Sequence, residues 1–325
     1  MAGVSLRHLD VGGLRMRIAE AGSGPLVLFA HGFPESWYSW RHQLPALAAA
    51  GYHAVAPDMR GYGETDAPAA IADYDVHHLC GDLTGLMDAL GEEQAVLVGH
   101  DWGALVVWTC ALLEPERVSA VAALSVPYGG RAERSPVETW KETFGDNFFY
   151  ILYFQELDEN GQGLAEAEFD AAPREILSRL YTSPDTPREP PEVSDPLRAA
   201  GGWTPRFGRP TERPDWLSQA DLDYYVAEFE RTGFRGGVNY YRNFHRNWET
   251  TPELAGARVQ QPSLFIAGEL DGVIRGGTEA SLTQMIGGAT EDLRGVHLIP
   301  EMGHWVQQES PEEVNRLLLE FLAGL

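Results

Sequence analysis

The sequence predicts an α/β protein: a mainly parallel sheet flanked by helices, with a helical segment inserted between two of the strands. Short valine-rich apolar runs alternate with longer stretches of helical periodicity, as expected of strands buried on both faces and joined by crossover helices. The alternation stops between about residues 127 and 252 and then resumes. A chain of 325 residues can hold one large α/β domain with such an insertion, or two domains of ordinary size.

Residues alternate around Leu6-Arg-His-Leu-Asp10 and Arg15-Met-Arg-Ile-Ala19, which predicts a hairpin on one edge of the sheet. Buried strands are expected at Leu26-Val-Leu-Phe-Ala30, Ala54-Val-Ala56, Ala95-Val-Leu-Val98 and Val121-Ala-Ala-Leu124, then at Leu264-Phe-Ile-Ala267 and Val296-His-Leu-Ile299. The interrupting stretch is rich in charge, aromatics and proline, as in Thr186-Pro-Arg-Glu-Pro-Pro191, and its ordered parts read as helices, residues 216–230 among them. The chain thus divides into a core, residues 1–127 and 253–325, and a helical cap, residues 128–252. Such a cap would lie over the carboxyl ends of the strands, where open α/β folds bind ligands. Near the end, Ser310-Pro311-Glu312-Glu313 combines an N-cap, a proline at the first helical position and a capping-box glutamate, announcing a last helix.

Acidic residues outnumber Lys and Arg by 48 to 24, a formal net charge of -24. That charge repels nucleic acid and anionic membrane surfaces and favours a small neutral or apolar partner. The stretch Met1-Ala-Gly-Val-Ser-Leu-Arg-His-Leu-Asp10 lacks the charged start and apolar core of a secretory signal, and no apolar run is long enough to span a bilayer, so a cytoplasmic protein is expected. Cys80 and Cys110 lie in helical patterns and read as buried free thiols. No HExxH, CxxC or EF-hand spacing occurs, so neither a metal nor another cofactor is expected.

Chemistry enters at Gly99-His100-Asp101-Trp102-Gly103, which has the spacing of a G-x-S-x-G nucleophile elbow with aspartate in place of serine. A buried strand precedes it and the helix-like run Ala104-Leu-Val-Val-Trp-Thr-Cys-Ala-Leu-Leu113 follows, the context the motif requires. A carboxylate there is ionised near neutral pH and attacks a saturated carbon without a base to take its proton. The bland alternative is a helix N-cap. No G-x-S-x-G occurs anywhere, which sets aside a serine esterase.

His304 follows the last predicted strand in a short Glu-Met-Gly turn, where an imidazole can face the elbow and activate water. Asp271 and Glu269, after the strand before it, are both candidates to orient that imidazole, and a turn-capping acid is the alternative for either. The N–H of Trp102 is one candidate oxyanion donor. Trp37, Phe154 and Trp102 are candidates for lining an apolar pocket, with core packing the alternative for each.

His31-Gly-Phe-Pro-Glu-Ser-Trp-Tyr38, Asp58-Met-Arg-Gly-Tyr-Gly63, the Asp101 elbow, Gly268-Glu-Leu-Asp271 and Gly303-His304-Trp305 occur in the order found in the α/β-hydrolase superfamily. Over nearly the whole chain the sequence resembles the soluble epoxide hydrolases of that superfamily. The resemblance implies an α/β-hydrolase fold and an enzyme that makes a vicinal diol from an epoxide and water through an ester on Asp101. It selects Asp271 as the partner of His304 and implies the Phe33 N–H as a second oxyanion donor, in a turn where Pro34 admits a cis bond. Two segments of the insertion, Phe149-Tyr150-Ile-Leu-Tyr-Phe-Gln155 and Gly233-Phe-Arg-Gly-Gly-Val-Asn-Tyr-Tyr-Arg-Asn243, resemble the places where the family keeps two substrate-facing tyrosines. Tyr150 and Tyr241 are implied as proton donors to the epoxide oxygen, with Tyr153 and Tyr240 the neighbours that a shift of register would substitute. The implied partner is a small apolar epoxide, and a homodimer is an open option for assembly.

Two other readings compete. Haloalkane and haloacid dehalogenases share the aspartate nucleophile, but the former typically need a side-chain N–H donor where this chain has Phe33, and halide release needs no paired tyrosines. A non-catalytic ligand-binding protein on a hydrolase scaffold has no use for the His304 base.

Overall fold

The computed structural model describes residues 3–159 and 161–325; Met1 and Ala2, where the amino-terminal stretch begins, lie outside the described residues. Strands β1 (Ser5–Val11) and β2 (Leu14–Ala21) form an antiparallel hairpin. There follow β3 (Leu26–Ala30), α1 (Gln43–Ala49), β4 (His53–Pro57), α2 (Val76–Leu90), β5 (Ala95–His100), α3 (Trp102–Leu113) and β6 (Val118–Leu124). The chain then leaves the sheet for α4 (Pro136–Phe144), α5 (Tyr150–Tyr153), α6 (Leu164–Ala171), α7 (Pro173–Leu180), α8 (Gln219–Thr232), α9 (Arg235–Arg242) and α10 (Phe244–Thr250). It returns through β7 (Val259–Gly268), α11 (Glu279–Ala289), β8 (Thr290–Ile299), the short α12 (Val306–Glu309) and α13 (Pro311–Ala323).

One sheet of eight strands results, in the order β1-β2-β4-β3-β5-β6-β7-β8. Pairing is antiparallel where β2 meets β1 and β4, and parallel from β4 to β8. Parallel neighbours end side by side: Ala30 of β3 pairs with Gly99 of β5, and His100 with Leu124 of β6. The loops that carry Phe33, Asp101 and Ser125 therefore leave the same edge together. Gly268 and Ile299 pair in the same way, which brings the loops bearing Asp271 and His304 to that edge.

Alternation along the strands sorts the core into two layers. Leu28, Val55, Leu97 and Val121 pack against α2, α3 and the inserted helices, whereas Val27, Phe29, Val98 and Leu124 pack against α1 and α13. Cys80 and Cys110 are buried free thiols, as expected. Among the described residues no helix is long and apolar enough to cross a membrane.

The insertion is docked by polar ties as well as by apolar contact. Arg17 is paired with Asp58 and Glu64 on the core side and reaches Glu228 of α8 at 2.6 Å. Tyr38 Oη donates to Asp221 at 2.8 Å, Tyr240 Oη to the Arg60 carbonyl at 2.9 Å, and Tyr181 Oη to the Pro34 carbonyl.

Three local expectations differ from what is observed. Val296, His297 and Leu298 are half-buried, because β8 is an edge strand covered on fewer sides than its neighbours. The helix expected over residues 216–230 begins at Gln219, because Ser218 and Asp221 cap it reciprocally. The last helix does start at Pro311, but the Ser310 side chain makes no capping bond. There the proline carries the start, since its missing N–H removes one of the donors a cap would satisfy.

Candidate active site

Asp101 sits at the turn from β5 into α3 with φ 53° and ψ -117°, a conformation costly to a residue with a side chain. Close approach of backbone segments explains the flanking glycines. A Cβ on Gly99 would lie 2.2 Å from the Gly103 carbonyl oxygen, and one on Gly103 would lie 1.9 Å from that of Ala30. Gly32 faces the carboxylate itself, where a Cβ would stand 2.4 Å from Asp101 Oδ1. The elbow thus rests on the β3 exit loop, and the Phe33 N–H donates to Asp101 Oδ1 at 2.8 Å. The Phe33–Pro34 bond is cis. Trp102 opens α3, whose N-terminus directs its unpaired N–H groups and positive dipole end toward anionic charge at the elbow. The Asp101 side chain makes no capping bond, which removes the bland reading of the quintet.

His304 spans two carboxylates. Its Nδ1 lies 3.0 Å from Asp271 Oδ2 and its Nε2 lies 3.7 Å from Asp101 Oδ2. Burial alone would lower the imidazole pKa, but Asp271 first and Asp101 after it override that and raise it well above the usual histidine range. Burial likewise acts to raise the Asp271 carboxyl, and His304 overrides it and holds it low. Glu269, the rival position, is exposed.

Four tyrosines were candidates for donors, and two have hydroxyls engaged elsewhere. Tyr153 Oη donates to Glu168 at 2.6 Å, and Tyr240 Oη to the Arg60 carbonyl. Tyr241 packs edge-on against Phe33 and Trp102 at centroid distances of 5.5 and 5.2 Å, and Tyr150 meets Tyr241 at 5.9 Å. Burial, then the Asp101 carboxylate, pushes both phenols well above the ordinary value, so both hydroxyls keep their protons. Neither hydroxyl donates to an acceptor among the described residues. Phe154 is fully buried behind them, against Tyr150, Tyr241 and Phe33.

Trp37 is not gathered with this group. Its ring is buried in the α1 and α13 layer of the core, against Tyr38 and against Tyr224 of α8.

A buried network behind the site had no role in the sequence reading. Glu35 Oε1 takes the Nδ1 side of His100 at 2.7 Å and the Gly32 N–H at 2.9 Å, and its Oε2 accepts from Gln307 at 3.0 Å. His100 Nε2 and Ser125 Oγ both donate to the His304 carbonyl, at 2.7 and 3.0 Å. Burial opposes the Glu35 charge, yet His100 holds its pKa down to about 2. The available signal was an ionisable residue beside each of two apolar strands, since such residues are rarely buried without a partner.

An aspartate at the elbow, an imidazole between two carboxylates and two protonated phenols in an aromatic wall thus lie together. The α/β hydrolase fold family matches residues 25–311. Epoxide hydrolase A of Mycobacterium tuberculosis (strain ATCC 25618 / H37Rv) is 50% identical, covering 98% of this chain and 97% of that protein. The chain belongs to the epoxide hydrolase family. Epoxide hydrolase 1 of Siraitia grosvenorii is 41% identical, with 95% of each chain covered. The crystal structure of epoxide hydrolase A from Mycobacterium thermoresistibile superposes with a TM-score of 0.89 at 48% identity, over 99% of both chains. This epoxide hydrolase family member is therefore a hydrolytic enzyme of α/β-hydrolase fold.

Proposed function

We propose that the enzyme adds water to a small apolar epoxide and releases a vicinal diol, in two steps beneath the cap formed by residues 128–252. Asp101 Oδ2 attacks an epoxide carbon while Oδ1 stays on the Phe33 N–H. The carbon–oxygen bond breaks, and the departing oxygen takes a proton from Tyr150 or Tyr241. That leaves a hydroxyalkyl ester on Asp101 and a tyrosinate. Water then attacks the ester carbonyl and gives its proton to His304, whose tautomer Asp271 fixes. The oxyanion that forms sits on the Phe33 and Trp102 N–H groups, each typically worth a few kcal/mol. Collapse expels the diol oxygen, which takes the second water proton from the hydroxyl of the tetrahedral intermediate and restores the Asp101 carboxylate, while the proton on His304 returns to the tyrosinate.

The observation that carries this reading is the pair of hydroxyls on Tyr150 and Tyr241, without acceptors of their own in the wall that holds Asp101. An alkoxide leaving group needs such donors, and a halide does not. The test is a single turnover in heavy-oxygen water. Label should enter the Asp101 carboxylate and be missing from the first diol formed; label in that diol means direct attack by water and overturns the ester mechanism.

A further inference from the structure

The loop that carries His304 is gripped from both sides by one carboxylate. Glu309, at the end of α12, accepts the Gly303 N–H on Oε2 at 2.9 Å and the Trp305 N–H on Oε1 at 2.8 Å. These belong to the residues on either side of His304. The His304 carbonyl, in the same peptide unit as the Trp305 N–H, is held at its other end by His100 and Ser125. From the cap side, a Cβ on Gly303 would lie 2.9 Å from Pro184 Cδ, and the Trp305 indole donates to the Leu180 carbonyl at 2.9 Å. Hydrogen bonds from backbone N–H to an ionised carboxylate are shorter and roughly twice as strong as neutral ones. The placement costs the carboxyl something, because its burial raises its pKa against those bonds.

We infer that Glu309 is a positioning residue for the base, its two oxygens setting the His304 backbone so that the imidazole spans Asp271 and Asp101. The inference rests on the two-step reading above. Glu309 touches neither reacting carboxylate; it acts on the base through the loop it holds and through the charge attraction between its carboxylate and His304. Only ester hydrolysis uses the base; ester formation uses Asp101 and the phenols. Loosening the loop must therefore slow the second step and spare the first.

Glu309→Gln keeps the volume but sets an amide N–H against a peptide N–H, releasing one flank. With a chromogenic epoxide under rapid mixing, ester formation should stay within about twofold of wild type while ester hydrolysis slows about tenfold, so that kcat and KM fall together and kcat/KM is kept. The amplitude of the ester burst counts folded sites, so loss of protein is separated from loss of rate. Glu309→Asp, which retains a carboxylate one methylene shorter, should fall between the two. Equal slowing of both steps would show a general structural role, and an unchanged hydrolysis rate would show none; either overturns the inference. Ester accumulating in His304→Gln together with normal hydrolysis in Glu309→Gln strikes the inference alone. No ester in either variant strikes the two-step reading, and this inference with it.

Discussion

Nε2 of His304 stands 3.7 Å from Oδ2 of Asp101, beyond hydrogen-bond length but well within the range of charge attraction. In the proposed mechanism, esterification of Asp101 removes that charge at the moment the imidazole must accept a proton. Asp101 would then raise the His304 pKa while it is free and release it once alkylated. Asp101→Asn, a neutral stand-in for the ester, should lower the His304 pKa, read from the imidazole NMR titration. An unmoved titration would show that Asp271 alone sets it.

The same shift makes stability depend on pH. Because the folded-state pKa of His304 is raised, its contribution is fully present below the unfolded value of about 6.5 and is lost as pH rises through the folded one. Wild-type stability from urea unfolding should therefore fall as pH climbs above that point. In Asp101→Asn the fall should end at lower pH; coincident curves would refute the coupling.

By the proposed mechanism, His304→Gln should remove the base and leave ester formation intact. Intact-protein mass spectrometry with an accepted epoxide should find the alkyl adduct persisting on Asp101 long after the substrate is removed, where in wild type it decays. Full turnover by this variant would assign the base elsewhere.

Replacing both Tyr150 and Tyr241 with phenylalanine should slow ester formation by at least about 10²-fold, the lower end of what a placed general acid contributes. Tyr153→Phe and Tyr240→Phe each lose a hydrogen bond to Glu168 or to the Arg60 carbonyl and should cost about 1 kcal/mol of stability with the rate unchanged. A reversed pattern would shift the donor assignment by one register.

Gly103→Ala tests the elbow's close approach. A Cβ 1.9 Å from the Ala30 carbonyl oxygen forces strand β3 and helix α3 apart, so destabilisation of about 3 kcal/mol or more is expected from thermal unfolding. A loss below about 0.5 kcal/mol, the range of an ordinary surface substitution, would mean that the two elements separate easily there.

Strand positions were legible because burial on two faces demands continuous apolar runs, and the break in that pattern located the insertion. Asp101 and His304 could be named as candidate nucleophile and base because such residues sit at strand ends, which local pattern reveals. Phe33, Asp271 and the two phenols came from family resemblance. The register of those phenols was ambiguous, since neighbouring tyrosines on a short helix differ only in the direction they face. Trp37, close in sequence to the site loop, belongs to the core layer of α1 and α13.

The sequence by itself determined the order of strands and helices, the acidic charge and the candidate nucleophile, because each follows from residue type and local spacing. Tertiary structure alone decided which side chains meet. The Glu35–His100 pair and the Glu309 grip on His304 join residues whose partners are chosen by parallel strands ending at one edge. No local pattern encodes such a meeting, because it depends on where separate loops arrive after the sheet has closed.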